Sequence, residues 1–308
     1  MNELLNMMNI GIAMSTPLVI CVLGGIFPHK AGVLNIAMDG MMNIGAFASI
    51  YFSFITGNVL FGIVMGVVCA MVLGLIFSIF SITLEGNRII TGLAVNLLSI
   101  SIVPFLLQTM YSNRTSLIAT EVIHTTDFRL DVPVLRSIPI INEVLNNQTI
   151  LTYCSFLLIF IIWMLMYKTK IGVYVRLVGE NEEAAKAVGI KVKGIRYFAI
   201  LISSALAGLA GANLSVESLG MYTLGMVAGR GYIALSAARC GKGNPIKASL
   251  FTLIFGLARA LQIKLTTVVD SATASLIEML PYVFILIAMF ATALIDNRNN
   301  QIRGYMND

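Results

Sequence analysis

VLFGIVMGVVCAMVLGLIFSIFSITL, residues 59–84, contains no charged residue and no proline. A helix rising 1.5 Å per residue needs about 20 apolar residues to cross a hydrocarbon core about 30 Å thick, so this run is long enough to span a membrane. Working outward, further apolar runs occupy 4–27, 32–55, 89–111, 150–167, 198–215, 229–240, 246–265 and 275–294. The run 229–240 is short and Gly-rich; it reads as a half-helix or merges with re-entrant structure around 216–228. The pattern predicts an all-α polytopic membrane protein with about nine transmembrane helices, eight to ten in range. All of it falls in a single membrane domain, 1–308. The first run has neither a basic segment before it nor a small-residue cleavage site after it, and reads as a retained helix.

Composition agrees. The 308 residues are 58% hydrophobic and only 11% charged, against about 25% charged in soluble domains. The net charge of +5 is scattered between apolar runs, which suits membrane orientation and excludes a nucleic-acid surface. Cys21, Cys69, Cys154 and Cys240 lie in or beside apolar runs without a CxxC pair, and His29 and His124 stand far apart. Neither metal nor disulfide is expected.

Basic residues set the orientation. Residues 168–197 carry Lys168, Lys170, Arg176, Lys186, Lys191, Lys193 and Arg196, which makes this loop cytoplasmic. Alternation then puts His29 and Lys30, Glu85 to Arg88, Arg239 to Lys247 and the C-terminus inside. The N-terminus and the long segment 112–148 lie outside. That segment mixes Arg114, Arg129 and Arg136 with Glu121, Asp127, Asp131 and Glu143, and Pro133 and Pro139 stiffen it. It is either a linker or a docking surface for an external protein. A weak repeat pairs GVLNIAM at 32–38 with GRGYIAL at 229–235. In this topology the two run in opposite directions, the arrangement that flanks substrate paths in transporters with inverted repeats.

Within the cytoplasmic loop, RLVGENEEAAKAVGI, residues 176–190, is the one clearly water-loving helix. Asn181 suits an N-cap, Glu182 and Glu183 complement the helix dipole, and Gly189 suits a left-handed stop. The helix has about two turns, is unstable alone in water and must dock, on its own bundle or on a partner. Its small face is read as Ala184, Ala185 and Val188.

Here the chain resembles the permeases of ABC importers of the ribose and branched-chain amino-acid type. The string from Arg176 to Ile190 is similar to their coupling segment. GVLNIAMDGMMNIGAFAS at 32–49 and GMVAGRGYIALSA at 225–237 with GKGNP at 241–245 are similar to two further signatures. VPVLRSIP, GLARALQIKL and MLPYVFIL look like the nucleoside subgroup, whose receptors are basic-membrane-protein-like lipoproteins. The resemblance implies a permease of the bacterial plasma (inner) membrane. It implies ATPase subunits docked on Gly179, Asn181, Ala184, Ala185 and Gly189. It also implies a second permease subunit, identical or a sister, and an extracytoplasmic binding lipoprotein that delivers a small molecule. Three positions depart from the pattern: Asp39 stands for Glu, Leu177 for Ala, and Arg259 for an acidic or neutral residue.

Polar groups inside spans cost about 2.5–3.5 kcal/mol when charged and need a reason. Asn35, Asp39 and Asn43, spaced four apart, form one stripe that either faces the translocation path or clamps helices. Arg230 and Asn96 are candidate substrate contacts or packing contacts. Arg259 and Glu278 flank the connection near 267–270 symmetrically and are expected to form a structural ion pair. Gly241-Lys242-Gly243 lacks the first glycine and the Ser/Thr of a phosphate loop. The chain therefore binds no cofactor of its own, and ATP is hydrolysed by the partner. Nucleoside import is the expected function. The alternatives are a ribose-like sugar, riboflavin, or an ion-coupled carrier with Asp39 as its proton or cation site.

Overall fold

The computed structural model describes residues 2–305 apart from 112–114, 120–122, 124, 134–138, 268, 270–273 and 275. Arg114, Glu121, His124, Arg136 and most of VPVLRSIP thus lie outside the described residues. The helices are α1 (Asn2–Lys30), α2 (Met38–Thr56), α3 (Val59–Ser78), α4 (Arg88–Tyr111), α5 (Pro139–Leu145), α6 (Ile150–Lys168), α7 (Lys170–Glu180), α8 (Glu182–Ala187), α9 (Val192–Ala212), α10 (Arg230–Cys240), α11 (Pro245–Thr266) and α12 (Leu280–Tyr305). α3 and α9 continue as π-helical turns over Ile79–Thr83 and Asn213–Leu219.

Each of the nine apolar runs contains a helix, and among the described residues six of the helices are long and apolar enough to cross a membrane. α10 is short, with 11 residues, and α2 is too polar to count among the six. The expectation of an all-α chain is corrected in one detail. Two antiparallel ribbons form, β1 (Ser116–Ile118) with β4 (Met221–Thr223) and β2 (Arg129–Leu130) with β3 (Gln148–Thr149). Alternating, β-branched and aromatic residues such as Ile118 and Tyr222 favour a strand once a partner edge is present.

Burial divides the bundle into layers. In the most apolar stretch, 78% of α1 and 72% of α9 is buried, against 28% for α3 and α4 and 22% for α6. α1, α9 and the largely buried α2 therefore form the centre, and α3, α4 and α6 present Leu, Ile, Val and Phe outward. Exposed apolar rows of that length are stable only against lipid or another protein.

The centre is held by backbone-to-backbone contact. A Cβ on Gly45 would lie 2.5 Å from the Gly208 Cα, and one on Gly211 would strike the Met42 carbonyl. Small residues let helices approach this closely, and dispersion then replaces the hydrophobic drive that lipid surroundings remove. Packing partners are duplicated: α2 packs on α3, α4 and α9, while α10 packs on α11, α12 and α1. Likewise α3 lies on α9, α11 on α1, and α1 on α9. The aligned glycines Gly32 and Gly229 both have left-handed backbones, φ +70° and +74°.

Two ends emerge. At one, Arg88 Nη1 donates to the Gly32 carbonyl at 2.8 Å, Lys193 pairs with Glu85 at 3.1 Å, and Gly243 touches His29 and Lys30. At the other, Lys264 pairs with Glu3 at 2.8 Å, and Asn9 Nδ2 donates to the carbonyls of Glu143, Val144 and Asn146. The basic segments 29–30, 85–88, 168–197 and 239–247 share the first end.

Replacing Gly211 with Val should force α2 and α9 apart at a cost of about 1–3 kcal/mol, the usual penalty of overpacking. The expected result is a thermal midpoint in detergent lowered by several degrees; an unchanged midpoint would show that the contact carries no stability.

Candidate functional site

A cavity of about 370 Å³ lies between α2, α4 and the irregular segment before α10, with Asp39, Asn43 and Tyr222 as its polar side chains. Asp39 sits in the first turn of α2, where the helix dipole favours a carboxylate. Its Oδ1 accepts from the Gly231 backbone N–H at 2.9 Å. Its other oxygen has no donor among the described residues. α10 can deliver that N–H because residue 231 is glycine: a Cβ there would collide with the Asp39 backbone. Asn43 accepts the Tyr222 hydroxyl at 2.8 Å and donates to Ser99 Oγ at 3.0 Å, while the Tyr222 ring stands edge-on to Phe47. The result is a half-polar pocket wall with one open carboxylate oxygen.

The other expected path residues are placed differently. Asn96 accepts the Gly40 N–H at 2.7 Å and donates to the Ile36 carbonyl and the Tyr232 hydroxyl at 2.9 and 2.7 Å. It fastens α4 to the start of α2 and to α10. Asn35 is fully buried, donates to Ser203 Oγ at 3.0 Å and accepts from the Ala37 N–H. The expected stripe of Asn35, Asp39 and Asn43 is absent because the chain becomes helical only at Met38. Asn35 precedes the helix and turns to α9, Asp39 faces α10 and Asn43 faces α4. Arg230 folds back and donates to the Met226 and Val227 carbonyls. It thereby satisfies the Met226 carbonyl, which the irregular segment leaves open, and adds to the bond that the Arg230 N–H makes with the Val227 carbonyl.

Arg259 and Glu278 form no ion pair. Symmetry in sequence did not become equal depth, since Glu278 lies before the start of α12 and is exposed, while Arg259 is one to two turns inside α11.

The loop 168–197 is an arm of two helices. Thr169 caps α7, and Gly172, Val175 and Val178 turn it onto the bundle. A Cβ on Gly179 would collide with the Lys30 carbonyl, so α7 rests directly on the corner between α1 and α2. Asn181 Oδ1 accepts from the Ala184 N–H at 2.9 Å and starts α8. Gly189, at φ +80°, ends it, with Gly189 N–H on the Lys186 carbonyl and Ile190 N–H on the Ala185 carbonyl. Glu182 bridges Lys186 at 2.7 Å and Arg196 at 2.8 Å. Ala185 corrects the expected small face: it is fully buried against Val178 and Val192. The outward face is Ala184, Ala187 and Val188, the last 68% exposed.

The family described as branched-chain amino acid transport system / permease component matches residues 7–292. The chain belongs to this family. Two relatives are the nucleoside ABC transporter permease protein NupC of Lactococcus lactis subsp. cremoris, 32% identical over 89% of this chain and 88% of that protein, and the guanosine ABC transporter permease protein NupQ of Bacillus subtilis, 30% identical over 91% and 87%. The fold is shared with PsaBC from Streptococcus pneumoniae in complex with Fab, at TM-score 0.51 and 15% identity over 91% of this chain and 89% of that one.

Within this permease, sequence reasoning missed Glu217. It is buried in the π-turn after α9, accepts from the Leu151 N–H at 3.3 Å and from Asn213 Nδ2 at 2.9 Å, and so caps α6 from another helix. A lone acid in the stretch ANLSVESLG was the available signal. Tyr222 was also missed, because nothing in the sequence separates it from the other nine tyrosines.

Replacing Asn96 with Leu strands the Gly40 N–H and removes two helix ties, which should cost about 1–3 kcal/mol in thermal unfolding. The Lys186 and then the Arg196 hydrogen bonds hold the Glu182 carboxyl below its ordinary range. A depressed carboxylate stabilises above its unfolded pKa and loses that contribution as pH falls through the folded one. Hydrogen-exchange protection at the α8 amides, corrected for the intrinsic pH dependence of exchange, should therefore be steady near neutrality and fall only as pH drops below the ordinary glutamate value of 4.5.

Proposed function

We propose that this chain is the membrane permease of an ATP-driven importer of nucleosides, working in the bacterial plasma membrane. The ATPase subunits dock on the outward face of α8. The observation that carries this reading is the α7–α8 arm. A short helix, capped at both ends and seated on the bundle through Ala185, presents Ala184, Ala187 and Val188 to solvent. An apolar face on an otherwise charged surface is stable when another protein covers it. The chain binds no ATP itself, so the motor is the partner's. Gly179 and Ala185 position this helix, while Asn181 and Gly189 fix its ends. Pairing with a second permease subunit covers part of the exposed apolar rows. An external lipoprotein delivers substrate at the end that holds Glu3, Asn9 and residues 143–149. We read the duplicated packing of α1–α4 and α9–α12 as an inverted repeat, with the N-terminus outside and the C-terminus in the cytoplasm.

The substrate reading rests on the relatives and on the cavity. A nucleoside offers hydroxyl and N–H donors on an otherwise flat, half-apolar body. The open oxygen of Asp39 can accept such a donor, and the Tyr222 side satisfies a few fixed contacts of the kind that orient a small molecule in an apolar pocket. Asn43 holds Tyr222 in place. Arg230 and Asn96 shape the cavity rather than line it.

Cells lacking this gene should lose uptake of labelled nucleosides and keep uptake of labelled ribose; the reverse outcome assigns a sugar. Val188→Asp should abolish co-purification of the ATPase subunit while leaving the permease in the membrane, and retained binding would move the docking site elsewhere. Asp39→Asn keeps the Gly231 contact but removes the charge. It should lower nucleoside uptake by about ten-fold, the size of one lost charged hydrogen bond, with the ATPase still bound.

A further inference from the structure

Among the described residues, six buried side-chain polar atoms lack a hydrogen-bond partner, and two of them, Ser81 Oγ and Arg196 Nε, belong to residues lining one cavity. That cavity, of about 430 Å³, lies at the basic end of the bundle between the turn joining α3 to α4 and the start of α9. Ser81 is only 3% exposed and stands in the π-turn Ile79–Thr83. Such turns sit at functional sites more often than chance allows, because the extra residue redirects a side chain.

The lining is charged out of balance. Arg88, Lys186, Lys193 and Arg196 face Glu85 and Glu182. Glu85 is engaged by Lys193, and Glu182 is shared by Lys186 and Arg196. The Arg196 side chain is 14% exposed, with one terminal nitrogen on Glu182 and its Nε unpartnered. Arg88 spends one terminal nitrogen on the Gly32 carbonyl, and the rest of its fork is available. Two guanidinium and two ammonium groups against two carboxylates leave an excess of positive charge, which makes a receptor for a tetrahedral oxyanion. Phe80, Leu84, Ile89 and Ile90, neighbours of the lining residues in sequence, are 51%, 63%, 50% and 66% exposed.

We propose that this cavity binds a phosphate group carried by an anionic phospholipid, with the headgroup among Ser81, Arg88, Lys193 and Arg196 and the acyl chains against Phe80, Leu84 and Ile90. Arg196 and Glu182 connect the site to α8, so the lipid steadies the seat of the arm. Free phosphate offers the same oxyanion but gains nothing from these exposed apolar side chains.

The test uses the full-length chain in mild detergent with added phosphatidylglycerol or phosphatidylcholine, and native mass spectrometry to count retained lipid. Phosphatidylglycerol should be retained in preference to phosphatidylcholine. The preference should fall about five-fold for each charge removed near the headgroup in Arg196→Gln and Lys193→Gln. Lys193 is 60% exposed, so its variant keeps the fold and the test stands if Arg196→Gln does not assemble. Lys247→Gln, an equal charge change elsewhere at the same end, should leave the preference intact. Equal loss in Lys247→Gln, or no loss in Lys193→Gln, would overturn the site. A thermal midpoint raised by inorganic phosphate alone, in wild type and not in the variants, would reassign the lipid's place to a soluble phosphate.

Discussion

α2 and α9 meet backbone to backbone at Gly45, Gly208 and Gly211, and this contact sets the geometry of everything around it. Lipid removes the hydrophobic reason for helices to associate, so close packing and buried hydrogen bonds must supply it. With side chains absent at the contact, Asn35 can reach Ser203 and the polar residues of α2 fall within reach of α4 and α10. A bulkier residue at the crossing would separate the donors from the acceptors as well as the helices.

The irregular segments 31–37 and 220–229 are the price of placing a half-helix and a polar wall inside a membrane protein. Each leaves backbone groups that lipid cannot satisfy. The structure answers with side chains from elsewhere: Asn96 for Ile36 and Gly40, Arg230 for Met226, Arg88 for Gly32. Glu217 does the same for the start of α6. Polar residues that look like substrate contacts in the sequence are largely occupied in this way, and Asp39 is the member of the set that keeps an open oxygen.

Much of this was legible in advance, and the reasons are local. Apolar length located nine of the helices, six of which are long and apolar enough to span among the described residues, because a span is a contiguous property of sequence. The caps of α8 were legible at Asn181 and Gly189, since capping depends on a few neighbouring residues. The grouping of basic segments at one end followed from charge alone. The failures were all tertiary. Ala185 was assigned to a partner because spacing on a helix does not say which side is outward. Asn35 was put in a stripe because its spacing presumed a helix that begins three residues later. Arg259 and Glu278 were paired on symmetry, and the connection between α11 and α12 ends later than symmetry requires. α7 was read as loop because its amphipathic pattern lacks the long apolar run that marked the others.

Gly179 has no room for a single added carbon against the Lys30 carbonyl, and Gly32, one turn beyond, lies against Gly179 in return. The arm therefore has no slack where it meets the bundle. From that point residues 31–37, held by the Ala31 N–H on the Phe27 carbonyl and the Val33 N–H on the Pro28 carbonyl, lead directly into the turn that holds Asp39. Seven residues separate Gly32 from Asp39 along the chain, so the contact that seats the arm and the carboxylate of the cavity lie on one short stretch of backbone.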